Sequence, residues 1–435
     1  MSRINKIAKA ILVTLSLMLP VAAQADETTS LRAALEKAAA KDWQAALTAA
    51  RGASAVGADV IIWQWLRDGQ GKLGDYESFL QRRPDWPGLP LLKEKGEIAV
   101  ARSTDPTRII AYFGADKPRT GLGAVTLVRA FLETGQRDAA EAEALRAWSV
   151  LKFEAADEDA MLSLMGNALA VAHDVRLDNA LWDGERRAEA ERMLPRVSPD
   201  WAALGKARLA LQAVSANASA LVEAVPQTVA ADAGLAYDRF VWRMKKDRYD
   251  DAAALIVDRS TSSASLGRPE AWAERRAALA RRYMRAGQSK TAYQIAANHQ
   301  LESGDSYADL EFLSGFIALR KLGDPDRAIA HFGHLRAAVA TPISVARAEY
   351  WTARALEAKG DKAGAKASYQ AAAQNPTAFY GLLAAEKLGL SLDPALVDAG
   401  IPQADWKTAR FAGSSVLAAA RALAAAVRAK DCSSR

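Results

Sequence analysis

Cysteine, histidine and long apolar runs are scarce in this chain of 435 residues. Cys432 is the single cysteine, so neither an intramolecular disulfide nor a cysteine-based metal site can form. No stretch holds about eighteen consecutive apolar residues, the length that a membrane-spanning helix requires. We therefore expect a chain that is soluble once processed, and whose fold does not depend on the redox state of its compartment.

The excess of basic over acidic residues is small. The chain has 57 lysines and arginines against 51 aspartates and glutamates, a formal net charge of +6. Three of the cations lie in the first 25 residues, which contain no acid, so residues 26–435 carry +3. A weak charge spread along the chain argues against nucleic acid as the main partner.

The first 25 residues have the features of a secretory signal peptide. Three cations open the chain: Arg3, Lys6 and Lys9. The short apolar segment Ile11–Leu19 follows, and Ala23-Gln24-Ala25 offers the small residues that signal peptidase requires. The apolar segment is too short to stay in a membrane as a spanning helix. We predict that residues 1–25 are removed during export across the membrane.

The rest of the chain has the apolar spacing of helices. Leu310, Leu313 and Ile317 recur at i, i+3 and i+7, which marks one helix face. Phe312 and Phe316 mark a second face of the same segment. A helix with two apolar faces packs on both sides, as in a stacked array. Because hairpin-type strand signals are absent from the sequence, we predict a nearly all-α chain.

Breaks between the predicted helices recur at a regular interval. Gly287, Gly323 and Gly360 are 36 and 37 residues apart. In Gly323-Asp324-Pro325 we expect a glycine that ends one helix, followed by an N-cap aspartate and a first-turn proline. Gly360-Asp361 is predicted to act in the same way, and Asn375-Pro376 is predicted to open a helix in the same way. This period is typical of a helix-turn-helix solenoid, with repeats too degenerate for a strict tetratricopeptide array.

The four histidines give no clear ligand set. His331 and His334 lie three apart on one predicted helix and could face one ligand. No third residue of metal-ligand type has matching spacing, so we interpret them as a solvated or capping pair. His173 and His299 are isolated and are interpreted as ordinary structural residues. The sequence therefore predicts no metal site and no cofactor.

Other motifs have ordinary structural interpretations. Asp157-Glu158-Asp159 is a solvated run or a helix start, where acids suit the helix dipole. Gly69-Gln70-Gly71 lacks the strand that a phosphate-binding loop requires. Trp63, Trp65 and Trp86 could stack on sugar rings, but tryptophan in a helical array usually packs between layers. We name none of these residues as a ligand contact.

Seven segments, taken in order, resemble the superhelical part of the soluble lytic murein transglycosylases. They are Trp63–Leu66 with Pro84–Gly88, His173–Trp182, Gly234–Arg243, Trp272–Tyr283, Gly315–Leu319, Tyr350–Arg354 and Asn375–Gly389. The resemblance extends over roughly residues 31–423. It implies an all-α fold, namely a right-handed superhelix or solenoid of antiparallel helix pairs that is ring- or horseshoe-like.

The family's activity is also implied by the resemblance. Its members are periplasmic enzymes that cleave the peptidoglycan glycan strand between N-acetylmuramic acid and N-acetylglucosamine, leaving a 1,6-anhydro end. A lysozyme-like domain on the helical ring supplies one glutamate, which acts as general acid and then as base. The implied partner is therefore the peptidoglycan glycan strand, with other cell-wall proteins as further candidates.

The family's catalytic pattern does not occur in this sequence. There the glutamate lies in a Glu-Ser-x-Phe context, and a Gly-Leu-Met-Gln segment follows. Here Glu302-Ser303 is followed by Gly304-Asp305-Ser306, without a later Gly-Leu-Met-Gln, and we interpret it as a linker. No catalytic residue is predicted, and the substrate-binding residues are not identified.

Four segments are predicted along the chain. They are a signal peptide at 1–25, a superhelical domain at 26–374, the start of a linker-type helical domain at 375–426 and a disordered tail at 427–435. In the family a catalytic domain of about 150–200 residues would follow. We expect this chain to end before that domain, through a frameshift or a premature end.

Two main hypotheses follow, and they leave open whether the chain is an enzyme. The first is the non-catalytic scaffold of a periplasmic lytic transglycosylase, which binds or orients peptidoglycan without cleaving it. The alternative is a free-standing periplasmic helical-repeat adaptor, since concave solenoid surfaces suit protein binding. A complete helical enzyme with an unrecognised site is a third, less favoured hypothesis.

Overall fold

The structure, a computed structural model, describes residues 26–391 and 405–433, with side chains up to residue 427. Every regular element in these ranges is helical. Helices that follow one another along the chain pack together, as α-helical hairpins do. The prediction of an all-α fold built from helix pairs is confirmed. The predicted signal peptide, 1–25, lies outside the described residues.

The described residues divide into two compact units. The first comprises residues 26–172 and 405–433, and the second comprises residues 173–391. The boundaries predicted at residues 374 and 426 do not coincide with this division and stay predictions. None of the described helices is long and apolar enough to cross a membrane.

The first unit contains nine helices from the N-terminal part of the described chain and one from its C-terminal part. They are α1 (26–39), α2 (Trp43–Ala50), α3 (Ala55–Arg67), α4 (Leu73–Arg82), α5 (Leu89–Val100), α6 (Pro106–Phe113), α7 (Gly121–Glu133), α8 (Arg137–Val150), α9 (Ala155–Leu169) and α24 (Ser415–Ser433). Short 3₁₀ segments at Ala170–Ala172 and Trp406–Thr408 complete it.

Helix α24 packs on the N-terminal helices of its unit. Ala426 is 1 % exposed and lies in a core cluster with residues of α1, α2 and α3. The Arg32 Nε donates to the Ala426 carbonyl at 3.3 Å, and the Trp86 Nε1 donates to the Ser415 Oγ at 2.8 Å. Small alanine side chains let the helices approach closely at little cost in side-chain entropy.

The C-terminal helix extends further than the sequence suggested. Residues 427–433 continue α24, where the sequence analysis expected a disordered tail from 427. The part of α24 that precedes these residues is rich in alanine, the strongest helix former, and helps the helix to continue. Packing of Ala419 and Ala426 against the unit adds tertiary support to this propensity.

The second unit contains fourteen helices. They are α10 (His173–Trp182), α11 (Arg187–Met193), α12 (Pro199–Gln212), α13 (Ala218–Glu223), α14 (Ala233–Lys245), α15 (Tyr249–Arg259), α16 (Ser263–Leu266), α17 (Pro269–Arg285), α18 (Ser289–Ala297), α19 (Asp305–Ile317), α20 (Pro325–Ala338), α21 (Pro342–Lys359), α22 (Lys362–Ala373) and α23 (Phe379–Lys387). A π-helical turn, Ala318–Leu322, extends α19.

Glycine and aspartate separate the helices as predicted at two of the breaks. Gly323 and Gly360 have φ values of 67° and 90°, a left-handed conformation that favours glycine. Asp324 then accepts from the Arg327 backbone N–H at 3.0 Å, and Asp361 accepts from the Gly364 N–H at 2.8 Å. These N-caps are confirmed.

The predicted N-cap at Asn375 is wrong, because α23 begins at Phe379 with Ala378 as its N-cap. Residues 376–378 form a turn instead, in which the Ala378 N–H donates to the Asn375 carbonyl at 3.0 Å. Gly381 packs directly on this turn, leaving no space for a Cβ beside the Asn375 carbonyl. Helix α23 therefore begins directly after this turn and has no side-chain cap.

Helix α19 packs on both of its apolar faces, as its sequence predicts. Leu310, Leu313 and Ile317 are buried in a cluster with α17 and α18. On the other side, Phe312 and Phe316 contact Trp351, with ring centroids 6.0 and 5.2 Å apart. This double packing holds α19 firmly, and α19 carries one of the two polar clusters described next.

Candidate functional site

An open cleft in the second unit lies between the C-terminal ends of α10 and α12 and one face of α14. Its volume is about 580 Å³, within the range typical of ligand pockets. Its walls include Trp182, Gln212, Tyr237, Val241, Arg187 and Lys245. Sequence spacing does not indicate this cleft, because its lining residues come from four helices distributed between residues 181 and 245.

Stacked aromatic rings form one wall of the cleft. The Trp182 and Tyr237 rings are 5.2 Å apart with planes 25° from parallel. Tyr237 in turn contacts Trp272 at 5.3 Å, and Trp272 is fully buried. Burial raises the pKa of Tyr237, so its hydroxyl stays protonated. The wall is thus a rigid, uncharged aromatic surface of the kind that a flat apolar ligand face can cover.

A buried ionic network lies behind this wall. Arg208 has no solvent exposure, and its guanidinium centre lies 5.3 Å from the Trp182 ring centroid. Its Nε donates to Asp238 at 2.7 Å and its Nη1 donates to Asp178 at 2.6 Å. Asp232 lies 3.6 Å from the same Nη1. Three carboxylates therefore share one guanidinium, which fixes α10, α12 and α14 against each other.

Burial raises the pKa of the acids Asp232 and Asp238 in this network. Burial raises the pKa of Asp238 to about 6, and the neighbouring charge of Asp232 acts in the same direction, although Arg208 opposes both. Both Asp238 oxygens are engaged, since Oδ1 also accepts from the Gln212 Nε2 at 3.1 Å. The carboxyl is therefore bound within the wall and is not offered to a ligand in the cleft.

Two cations lie at the cleft. Lys245 is exposed at the end of α14. Arg187 opens α11, where its Nε pairs with Glu191 at 2.9 Å and its Nη1 donates to the Leu209 carbonyl at 3.2 Å. The combination of an aromatic wall and cations suits a ligand that has flat apolar faces and carboxylates.

A second polar cluster lies between α19 and α20, around the buried carboxylate of Glu311. Its Oε2 lies 2.8 Å from the His331 Nδ1 and 3.2 Å from the His334 Nδ1. Its Oε1 lies 3.0 Å from the His299 Nε2. Burial opposes ionisation of Glu311, but the hydrogen bonds from His299 and His331 outweigh it and hold the pKa of this carboxyl at about 2.

The histidine interpretations need correction. His331 and His334 do not cap a helix, and Glu311 of α19 joins them as a third residue of metal-ligand type that sequence spacing did not indicate. His299 is not isolated, since it is buried against Glu311. Spacing along the sequence cannot reveal this cluster, because the packing of α18, α19 and α20 creates it. His173 lies at the start of α10, away from these three histidines in sequence.

The tryptophans considered for sugar contact lie in the first unit. Trp86 is 5 % exposed, contacts Phe79 at 5.5 Å and donates to Ser415, which makes it a packing residue. Trp63 donates to the Pro87 carbonyl at 3.0 Å and lies under the Arg67 guanidinium. Trp65 is partly buried in the same core. Their interpretation as interlayer packing fits these contacts.

The remaining motifs lie where the sequence analysis placed them. Glu302-Ser303 lies in the loop between α18 and α19, and Gly69-Gln70-Gly71 lies in the turn between α3 and α4. Asp157 and Glu158 lie in the first turn of α9, which confirms the helix start. Glu158 is nevertheless only 2 % exposed, so it is not part of a solvated run.

Comparison with known proteins gives a match in structure but not in sequence. No protein-family model matches the chain, and no curated protein matches it. The crystal structure of the 70 kDa soluble lytic transglycosylase from Escherichia coli is similar to 92 % of this chain, with a TM-score of 0.53 and 16 % identity. The complex of the 70 kDa soluble lytic transglycosylase with bulgecin A is also similar to 92 % of this chain, with a TM-score of 0.53 and 17 % identity.

These matches show a shared fold. The chain spans 63 % and 62 % of the length of the two matched chains. The predicted resemblance to the soluble lytic transglycosylases is thereby confirmed at the level of fold. The predicted handedness and curvature of the helical array stay predictions.

Proposed function

We propose that the described helices act as a peptidoglycan-binding scaffold of a periplasmic lytic transglycosylase, and that they hold the glycan without cleaving it. The observation that carries this proposal is the fold shared with soluble lytic transglycosylases over 92 % of the chain. The signal peptide predicted at residues 1–25 would deliver the chain to the compartment that contains peptidoglycan.

The cleft beside α14 has the chemistry that this ligand requires. A glycan strand presents flat apolar sugar faces, which can pack against the partly exposed rings of Trp182 and Tyr237. The lactyl and stem-peptide groups present carboxylates, which Arg187 and Lys245 can bind through charge-assisted hydrogen bonds. We therefore assign the glycan contact to this cleft and not to Trp63, Trp65 or Trp86.

Asp238, the carboxyl of the cleft wall whose pKa is raised, is placed in a way that fits binding without cleavage. A general acid must come within hydrogen-bond reach of the oxygen that it protonates. Asp238 is 4 % exposed, and its two oxygens are bound to Arg208 and Gln212. This arrangement supports a structural role for Asp238 in forming the wall.

Purified sacculi provide the test. The chain from residue 26 is incubated with sacculi, and both its co-sedimentation and the released soluble muropeptides are measured. We expect saturable co-sedimentation without anhydro-muropeptides. Release of anhydro-muropeptides would contradict the scaffold assignment. Absence of co-sedimentation, with stoichiometric capture of a periplasmic protein, would favour the helical-repeat adaptor instead.

A further inference from the structure

We infer that Glu311, His331 and His334 form a binding site for a divalent late first-row metal ion, with Zn²⁺ as the reference ion. One carboxylate and two imidazoles offer ligand atoms that all lie within 4.8 Å of one another. The inference does not depend on the proposed peptidoglycan function, because it concerns a different cluster and a different ligand.

The separations of these atoms suit a small ion. In a tetrahedral zinc site with bonds of about 2.0–2.1 Å, neighbouring ligand atoms lie about 3.3 Å apart. The Glu311 Oε2 lies 2.8 Å from the His331 Nδ1 and 3.2 Å from the His334 Nδ1. All three ligand atoms lie within 4.8 Å of one another, so side-chain adjustments of about 1–2 Å would bring them to this geometry.

Helix geometry makes the convergence possible. His331 and His334 are three residues apart on α20, so both imidazoles project from the same side of that helix. Glu311 projects from α19, which pairs with α20 through the turn at Gly323 and Asp324. The adjacent Phe332 is fully buried between α19 and α21, which fixes the rotation of α20 about its axis.

Proton positions also allow the exchange of hydrogen bonds for metal bonds. Without an ion, each Nδ1 of His331 and His334 carries a proton and donates it to Glu311. With an ion, each ring keeps one proton on Nε2 and turns its Nδ1 lone pair to the metal. The His331 Nε2 lies 2.9 Å from the Tyr293 Oη, which can then accept a hydrogen bond from the Nε2–H group.

The groups behind the ligands hold them in place. Metal-binding imidazoles and carboxylates usually carry such outer partners. The Leu301 N–H donates to the His299 Nδ1 at 3.0 Å, so the proton of a neutral His299 must be on Nε2. His299 can therefore donate to the Glu311 Oε1 at 3.0 Å and leave Oε2 free to bind the ion. Tyr293 has the corresponding role for His331.

Exposure gives the ion a route to the site. The side chains of Glu311 and His331 are 6 % and 12 % exposed, whereas that of His334 is 60 % exposed. Three protein ligands leave at least one coordination position for water or an external ligand. Two nitrogen donors favour Zn²⁺, Ni²⁺ or Cu²⁺ over Mg²⁺ and Ca²⁺, which prefer oxygen ligands.

Zinc titration of the tag-free protein tests the inference. All proteins carry Cys432→Ser, since a thiolate would bind zinc itself, and are stripped with a chelator before competition against a chromophoric zinc indicator. We expect one Zn²⁺ per chain with micromolar or tighter affinity, unaffected by millimolar Mg²⁺.

Two variants test the ligand set. His334→Gln changes an exposed side chain, so we expect the fold to persist and zinc binding to weaken at least tenfold. Tyr293→Phe should weaken it about tenfold.

His173→Gln is the matched control, because it removes a histidine of the same unit outside the cluster. It should leave the zinc affinity unchanged. Zinc should also raise the melting temperature of the parent protein but not that of His334→Gln. Equal affinity in the parent and His334→Gln proteins, or equal binding of Mg²⁺, would overturn the assignment.

Discussion

Gly234 lies directly against the buried guanidinium of Arg208. A Cβ at residue 234 would overlap the Cζ, Nη1 and Nη2 atoms of that side chain. Arg208 cannot move away easily, because Asp178 and Asp238 hold it from two sides. The ionic network behind the cleft wall therefore requires a residue without a side chain at position 234 of α14.

Gly234→Ala should destabilise the second unit for this reason. Overpacking typically costs about 1–3 kcal/mol, and disturbing a buried ion pair adds to it. The gain of about 1 kcal/mol in helix propensity is smaller. We expect a net loss of about 2 kcal/mol in the free energy of unfolding, measured by urea denaturation.

Gly333→Ala is the control for this change. Gly333 lies in α20 of the same unit with no atom within 4 Å of the added Cβ. Only the gain in helix propensity applies there, so stability should rise by about 0.5–1 kcal/mol. Equal responses of the two variants would show that Arg208 does not constrain residue 234.

The pH dependence of stability should report the carboxyl of Asp238. Its pKa in the folded chain is about 6, above the ordinary value of 3.8. The folded state therefore binds its proton more tightly than the unfolded state does, and this contribution is present at low pH and lost as the pH rises through 6. Between pH 4.5 and 7.5 the loss should be about 2 kcal/mol.

Asp238→Asn removes this titration. The free energy of unfolding of the parent protein should fall by about 2 kcal/mol more than that of the variant over this pH interval. Urea denaturation at several pH values provides the comparison. Parallel stability curves for the two proteins would contradict a raised pKa at Asp238.

The docking of α24 on the N-terminal helices gives a third prediction. Ala426 is buried against α1, whereas Ala424 on the same helix is exposed. Ala426→Glu would place a charge among apolar side chains and should cost about 2–4 kcal/mol or release the helix. Ala424→Glu should change stability by less than about 0.5 kcal/mol.

Hydrogen exchange of the α1 amides measures this effect. Faster exchange in Ala426→Glu than in Ala424→Glu is the expected result, because α1 loses its contact with α24. Indistinguishable exchange of α1 in the two proteins would show that the C-terminal helix does not stabilise the N-terminal helices.

Local features of the fold were predictable from the sequence. Gly323 indicates the end of one helix because glycine adopts a left-handed conformation easily. Asp324 indicates the start of the next helix because its side chain caps it. Both effects act over a few residues. The two apolar faces of α19 follow from the helical spacing of apolar residues counted from Leu310 and from Phe312. Such signals depend on neighbours in sequence and can be interpreted without knowledge of the tertiary fold.

The candidate sites could not be predicted in this way. Glu311 meets His331 only because α19 and α20 pack as a pair, and a separation of 20 positions along the chain gives no sign of the contact. Trp182 and Tyr237 were visible only as parts of segments that resemble a family. Arg208 lies against Trp182, and no local pattern indicates its fully buried charge.

Sacculus binding by a matched pair of charge reversals tests the central claim most directly. Lys245 lines the cleft, whereas the adjacent Lys246 is equally an exposed lysine but does not line it. Lys245→Glu should weaken co-sedimentation with sacculi about two- to fivefold and reduce its sensitivity to salt, because an exposed charge contributes modestly. Lys246→Glu should bind like the parent protein. Equal binding by all three proteins would contradict the assignment of this cleft to peptidoglycan.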